Sequence, residues 1–176
     1  MGPARVVDVI HTPRFALVPL TADHVTPRYS AWFDEETVSK YIAGAKSNHG
    51  LESLRTYVKQ REGRDDILFL GIFTRAGHEH IGNIKYEPVD VEGAYAVMGI
   101  LIGEREWRGK DVAQEVIRHS AAWLRRARGI REVFLGVADD NAGAIRAYEK
   151  AGFRRTQTDR IVLAPGTISM GLSLDA

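Results

Sequence analysis

The sequence predicts an α/β fold built on a mixed sheet, and three observations predict it. Apolar runs of strand length recur along the chain, at residues 15–20, 67–73, 81–86, 94–103 and 130–138. Two segments of helical period, residues 109–128 and 142–151, lie between and after the later runs, and each is closed by a glycine. The order passes from a hairpin into strand–helix–strand–helix–strand, which sets helices against a sheet. The 176 residues, 44% of them hydrophobic, suit one domain, 1–176, that buries its core without staples.

Each element has a local reason. Residues 15–20 alternate as a first strand and stop at Thr21. Thr21 or Asp23 can cap a helix over residues 24–32, whose start Pro27 limits. Residues 34–41 read as a second short helix with acids in its first turn, where the dipole favours them. Leu51, Leu54 and Val58 make one face of a surface helix over 51–62, ended by Gly63. Residues 67–73 and 81–86 pair around a turn at 75–79, and 87–93 is a polar loop containing Pro88. In the long helix, Val112, Ala113, Val116, Ile117, Ala121 and Leu124 form one apolar stripe. Residues 153–163 and 167–174 read as two closing strands around a turn at 164–166.

Composition excludes several classes. A net charge of +1 gives no global field for nucleic acid or a membrane surface. Without cysteine there is no disulfide, thiolate metal site or cysteine nucleophile, and no metal site is expected. The N-terminal residues hold no long apolar region, and no run approaches the roughly 18 residues of a membrane span, so a cytoplasmic protein is expected.

The chemistry concentrates late in the chain. The strand carrying Ile100, Leu101 and Ile102 runs into a basic, glycine-containing turn, Arg108, Gly109, Lys110, Asp111, Val112 and Ala113, that opens the long helix. The first N–H groups of a helix lack internal partners and hold anions such as pyrophosphate, with charge added by Arg108 and Lys110. By itself Arg-Gly-Lys is more often a solvated turn. A later helix begins at Asn141 and carries Tyr148. Asn141 is a helix cap, a ligand contact, or both, and Tyr148 is a half-buried helix tyrosine or a proton donor.

The arrangement resembles the GNAT superfamily, the Gcn5-related N-acetyltransferases. Their motif Arg/Gln-x-x-Gly-x-Gly/Ala is matched at Arg108 and Ala113, and departs at Asp111, where a glycine is usual. A carboxylate beside pyrophosphate is unfavourable unless it points away. The second motif, Asn-x-x-Ala-x-x-x-Tyr-x-x-x-Gly-Phe, is matched in full by Asn141, Ala144, Tyr148, Gly152 and Phe153. Trp32-Phe-Asp34 and His80-Ile-Gly-Asn-Ile84 are similar to the branch holding ribosomal-protein alanine N-acetyltransferases and their small-molecule relatives. The resemblance covers residues 12–174. It implies a mostly antiparallel, twisted sheet of about six to seven strands with about four helices, splayed between the fourth and fifth strands.

The resemblance further implies acetyl-CoA as cosubstrate, bound by Ile100, Leu101, Ile102, the turn Arg108 to Ala113, Asn141 and Tyr148. Direct attack by an amine needs no acyl-enzyme. Tyr148, a phenol of pKa about 10, would protonate the departing thiolate, and an N–H of the Ile100 strand would polarise the thioester carbonyl. Some relatives place a glutamate at the position of Gly136, so the general base stays open among Glu87, Asp90, Glu92, Asp34, Glu35, Glu36, His24 and a water chain; His119 reads as structural.

The acceptor wall is expected from the first two helices, the 87–93 loop and the final hairpin, with Trp32, Phe33, Tyr41, Tyr86 and Glu87 on it. Aromatics with carboxylates suit a cationic amine: an amino sugar, an aminoglycoside-like antibiotic, a polyamine or a peptide N-terminus. The same aromatics equally suit a core. A small amine is slightly favoured, since no basic patch for ribosome contact is visible. Asp111 and Gly136 motivate a competing reading, a non-catalytic acyl-CoA sensor. A nucleotide-binding protein is disfavoured by the absence of phosphate-loop or dinucleotide spacing. The protein is expected to be a monomer or a homodimer.

Overall fold

The computed structural model describes residues 7–36 and 50–175. The described residues form eight strands: β1 (Ile10–His11), β2 (Phe15–Pro19), β3 (Leu68–Thr74), β4 (His80–Asp90), β5 (Tyr95–Ile102), β6 (Glu132–Ala138), β7 (Arg154–Arg155) and β8 (Thr167–Ser173). They form one open sheet in the order β1-β2-β3-β4-β5-β6-β8-β7, antiparallel throughout except for the β5–β6 pair. The described residues hold four α-helices: α1 (Pro27–Trp32), α2 (Leu51–Lys59), α3 (Val112–Arg128) and α4 (Ala142–Lys150). The mostly antiparallel sheet and four helices match the expectation. The strand count is higher because β1 is added, while β7 is the two-residue remnant of the strand expected over 153–163.

The two faces of the sheet have separate cores. On one face, Val112, Val116, Ile117 and Leu124 of α3 and Ile145 of α4 bury against Ile84, Tyr86, Ala96 and Met98. On the other, Tyr29, Trp32 and Phe33, from α1 and the residue after it, join Leu54 and Val58 of α2 over Leu20, with Phe69 and Leu101 packed against them. Strand alternation makes the division: Ile84 and Tyr86 point one way, Asn83, Lys85 and Glu87 the other.

Several boundaries move for physical reasons. Thr26, neither Thr21 nor Asp23, caps α1 by accepting from the Tyr29 N–H, and Pro27 takes the first helical position; residues 22–24 form a separate 3-10 turn. The helix expected over 34–41 lies mostly outside the described residues, as does Tyr41. Residues 87–90 are not loop: β4 continues through them with a register shift between Tyr86 and Val89. The helix expected from Gly109 begins at Val112, because Gly109 and Asp111 take left-handed backbone (φ 72° and 58°). Only Arg154–Arg155 of the expected strand over 153–163 pairs; residues 156–166 leave the sheet before β8.

Candidate active site

The site begins at a parting in the sheet. β5 and β6 pair only over Tyr95–Glu132, Ala96–Val133 and Val97–Phe134, although β5 runs on to Ile102 and β6 to Ala138. Beyond Val97 the β5 edge therefore has no registered β6 partner. An edge of unpaired backbone donors and acceptors in an open cleft is what a linear amide-bearing chain binds. Gly99 and Gly136 flank this parting, both exposed; a side chain added at Gly99 would meet open space, and one at Gly136 only Leu163.

The three strand residues divide between the faces. Ile100 and Ile102 pack toward α3 and α4, together with Ala113, Ala144 and Tyr148. Leu101 packs under α1 and α2 instead.

The turn ahead of α3 holds surprises. The first backbone bond of α3 runs from the Glu115 N–H to the Asp111 carbonyl, so the amides of Val112, Ala113 and Gln114 meet no helical carbonyl. Arg108 does not extend over them. Its Nε donates to the Ile102 carbonyl (3.0 Å), its Nη2 to the Gly103 carbonyl (3.3 Å), and its Nη1 pairs with Glu35 (2.9 Å). Lys110 is exposed, with Nζ 5.5 Å from the Trp107 ring centroid. Asp111 points along the protein surface, 3.7 Å from Lys150, and makes no cap bond. It is the N-cap residue rather than a first-turn acid.

Asn141 caps α4, accepting from the Ala144 N–H at 3.3 Å. Tyr148 is half-buried and meets the Phe153 ring edge-on at 6.0 Å. Among the described residues its hydroxyl has no hydrogen-bond partner. Burial raises its phenol to about 12, so it is a proton donor across the neutral range.

The aromatic wall is largely core. Tyr86 has no exposure, and its hydroxyl hydrogen-bonds Ser120 of α3 (2.7 Å), on the face away from Glu87. Trp32 is 4% exposed; its indole lies where a Cβ on Gly103 would stand, and its Nε1 donates to Glu104 (3.0 Å). Phe33 is buried against Tyr29. These placements correct the expectation that Trp32, Phe33 and Tyr86 face an acceptor. Large aromatics on a short helix and a central strand fill the two cores instead.

Glu87 does face the open side. Its Oε2 accepts from Arg61 (3.0 Å) and pairs with Lys85 (3.1 Å). Burial pushes this carboxyl up, but the Arg61 and Lys85 charges outweigh it and hold it below the usual range. Tyr57, Lys85 and Arg61 stand beside it: Arg61 stacks on the Tyr57 ring (3.5 Å) and the Lys85 ammonium touches the Tyr57 hydroxyl. Sequence reading missed Tyr57, Lys85 and Arg61; Lys85 and Glu87, alternating about buried Tyr86, were the available signal. Glu35 and Glu104 are paired as well, by Arg105 and Arg108 and by Arg28. His24 is turned inward, its Nδ1 taking the Thr21 N–H, and His119 Nδ1 lies 2.9 Å from the Glu115 carbonyl. Among the described residues no cluster could hold a metal ion, and no helix is long and apolar enough to cross a membrane.

Comparison with known proteins shows the family and the fold. The family model of the acetyltransferase (GNAT) domain matches residues 14–154. The N-acetyltransferase 9-like protein of Caenorhabditis briggsae is 25% identical over 148 residues, 79% of this chain and 74% of the relative. Among solved structures, RimL, a ribosomal L7/L12 alpha-N-protein acetyltransferase in complex with coenzyme A, shares the fold at a TM-score of 0.80 and 14% identity, over 96% of this chain and 99% of that one. The microcin C7 self immunity acetyltransferase MccE, in complex with acetyl-CoA and AMP, does so at 0.77 and 12% identity, over 92% and 93%.

Proposed function

Because this chain belongs to the GNAT acetyltransferase family and is an N-acetyltransferase, we propose that it moves the acetyl group of acetyl-CoA to a primary amine of a small molecule. One observation carries the reading: the β5–β6 parting opens on the sheet that Tyr148 packs against, and among the described residues the Tyr148 hydroxyl has no hydrogen-bond partner. Residues 1–176 act in this reading as one acetyltransferase domain.

Acetyl-CoA supplies an activated thioester. Residues Gly109 to Ala113 would hold its pyrophosphate on backbone amides, and the open edge of β5 from Met98 to Ile102 its amide-bearing arm, with one strand N–H directed at the carbonyl. Asn141 sets the start of α4 and with it the place of Tyr148. The Tyr148 phenol holds its proton until the C–S bond breaks and a thiolate departs, gives it up from Oη, and is restored by the proton that the attacking amine releases through water as the N–C bond forms. Among the described residues Glu87 Oε1 accepts no hydrogen bond, so it can face the acceptor, and it serves as counter-charge rather than base, since its carboxyl is held ionised.

The ion pairs narrow the acceptor. Glu35, Glu87 and Glu104 each already face one or two cations, so these three do not make a row of free carboxylates for a polyamine. An amine of low charge, such as an amino sugar, fits better. Thiol release from acetyl-CoA with a panel of amino sugars, aminoglycosides, polyamines and N-terminal peptides tests this. Turnover confined to peptides would replace the acceptor assignment, and tight CoA binding without turnover on any amine would favour a sensor.

A further inference from the structure

The turn that heads α3 is held from outside, by the N-terminal hairpin. Asp111, its last residue, makes no cap bond, and two of its residues are left-handed, so the turn has little of its own to fix it. Arg14 supplies the hold. Its Nη2 donates to the Lys110 carbonyl at 3.0 Å and its Nε to Glu115 Oε1 at 2.8 Å. Glu115 Oε2 accepts from the Arg14 N–H at 2.9 Å and from the Thr12 hydroxyl at 2.5 Å. Thr12 is buried, and its hydroxyl oxygen also accepts the Phe15 N–H, which fixes it in the turn between β1 and β2. Charge-assisted bonds of this kind, closed into a ring, impose direction as well as attraction.

The direction matters because a trans peptide is planar, with its C=O and N–H pointing opposite ways. The Lys110 carbonyl and the Asp111 N–H belong to one peptide. With the carbonyl held by Arg14, the Asp111 N–H is aimed to the far side. We propose that Arg14, fixed by Glu115 and Thr12, is a positioning residue that orients the amides of the 109–113 turn toward the cosubstrate's pyrophosphate. This rests on the reading of that turn as the acetyl-CoA phosphate holder. Arg14 acts through the peptide, not as a charge, because Glu115 neutralises it.

The test uses the whole protein and two probes, CoA and pantetheine, the second lacking pyrophosphate. Titration calorimetry of Arg14→Ala should show CoA affinity about tenfold weaker than wild type and pantetheine affinity unchanged, a tenfold loss being one step of 1.4 kcal/mol. In turnover, KM for acetyl-CoA should rise while kcat stays within about threefold. Arg14→Lys should behave as Arg14→Ala, since an ammonium lacks the fork that reaches both acceptors. Glu115→Gln, which keeps the side-chain shape, should give part of the same loss and serves where Arg14→Ala folds poorly. Full rescue by Lys, equal losses for both probes, or unchanged CoA affinity in both variants would overturn the inference. Wild type that binds neither probe would instead overturn the reading of the turn as a phosphate holder, and the inference with it.

Discussion

Arg108 and Glu35 face each other at 2.9 Å, guanidinium Nη1 to carboxylate Oε2, while the rest of the same guanidinium holds the Ile102 and Gly103 carbonyls. The arginine at the head of the turn before α3 is therefore a strut between the end of β5 and the segment after α1. Arg108→Ala leaves two carbonyls without this donor and Glu35 with Arg105 alone. The expected cost is about 1–2 kcal/mol after discounting for partial exposure. Thermal denaturation should show it as a fall of about 3–6 °C, with CoA affinity changed by less than about threefold. A large loss of affinity at an unchanged melting temperature would mean that the guanidinium reaches the phosphates after all.

Asp111 stands where the family motif carries glycine, and its φ of 58° gives the reason for glycine there. Aspartate is one of the few other residues that tolerates this region. Asp111→Gly removes backbone strain, loosens the unfolded chain and loses an exposed contact with Lys150 at 3.7 Å, so stability should move by no more than about 1 kcal/mol. Asp111→Val puts a β-branched side chain in left-handed backbone and should cost about 1–3 kcal/mol. Urea denaturation of the two variants separates them; equal stabilities would show that the turn relaxes out of the left-handed region.

Tyr148→Phe removes a hydroxyl that touches no described protein group. Stability should stay within about 0.5 kcal/mol, while turnover with an acceptor amine falls about 10²–10⁴-fold. The phenol, raised by burial to about 12, remains protonated through the neutral range. Tyr148 therefore contributes no falling limb to the pH–rate profile below about pH 10. Unchanged turnover in Tyr148→Phe would remove it as the acid.

The parts legible in the sequence were those written in local code. Asn141 followed three residues on by Ala144 at a helix start gave the observed cap, and the apolar stripe from Val112 to Leu124 gave α3 and its buried face. The parts not legible depended on distant partners or on strand phase. Tyr86 and Glu87 were placed on one wall, but neighbours in a strand point to opposite faces, and treating 87–90 as loop concealed that β4 continues. Nothing near Arg14 in the chain announces Glu115, and Trp32 covers a glycine that lies beyond β5. Charge pairs of this kind are set by topology, which composition and periodicity do not encode.

His80 gives the pH dependence of stability. It stacks on Phe73 (4.5 Å, 14°) and meets Trp32 edge-on (5.0 Å), with Nε2 2.8 Å from Asn83 Oδ1. Asn83 Nδ2 in turn donates to the Tyr29 hydroxyl at 3.0 Å. Burial drives the imidazole down to about 4, against the hydrogen bond with Asn83, which favours the charged form. The unfolded chain binds a proton near 6.5 and the folded one does not until about 4, so the unfolded state holds more protons in between and stability falls as pH falls. The contribution is fully present above pH 6.5 and lost toward pH 4, about 3 kcal/mol in all from the separation of the two values. His24, also lowered by burial, steepens the same window. Urea denaturation at pH 7 and pH 4.5 should therefore differ by about 2–3 kcal/mol. His80→Gln keeps an N–H donor for Asn83 but does not titrate, so its stability should depend less steeply on pH across this window. Parallel slopes for wild type and variant would show that His80 is not the group responsible. The consequence reaches the site, because Trp32, packed on His80, also covers Gly103 at the end of β5.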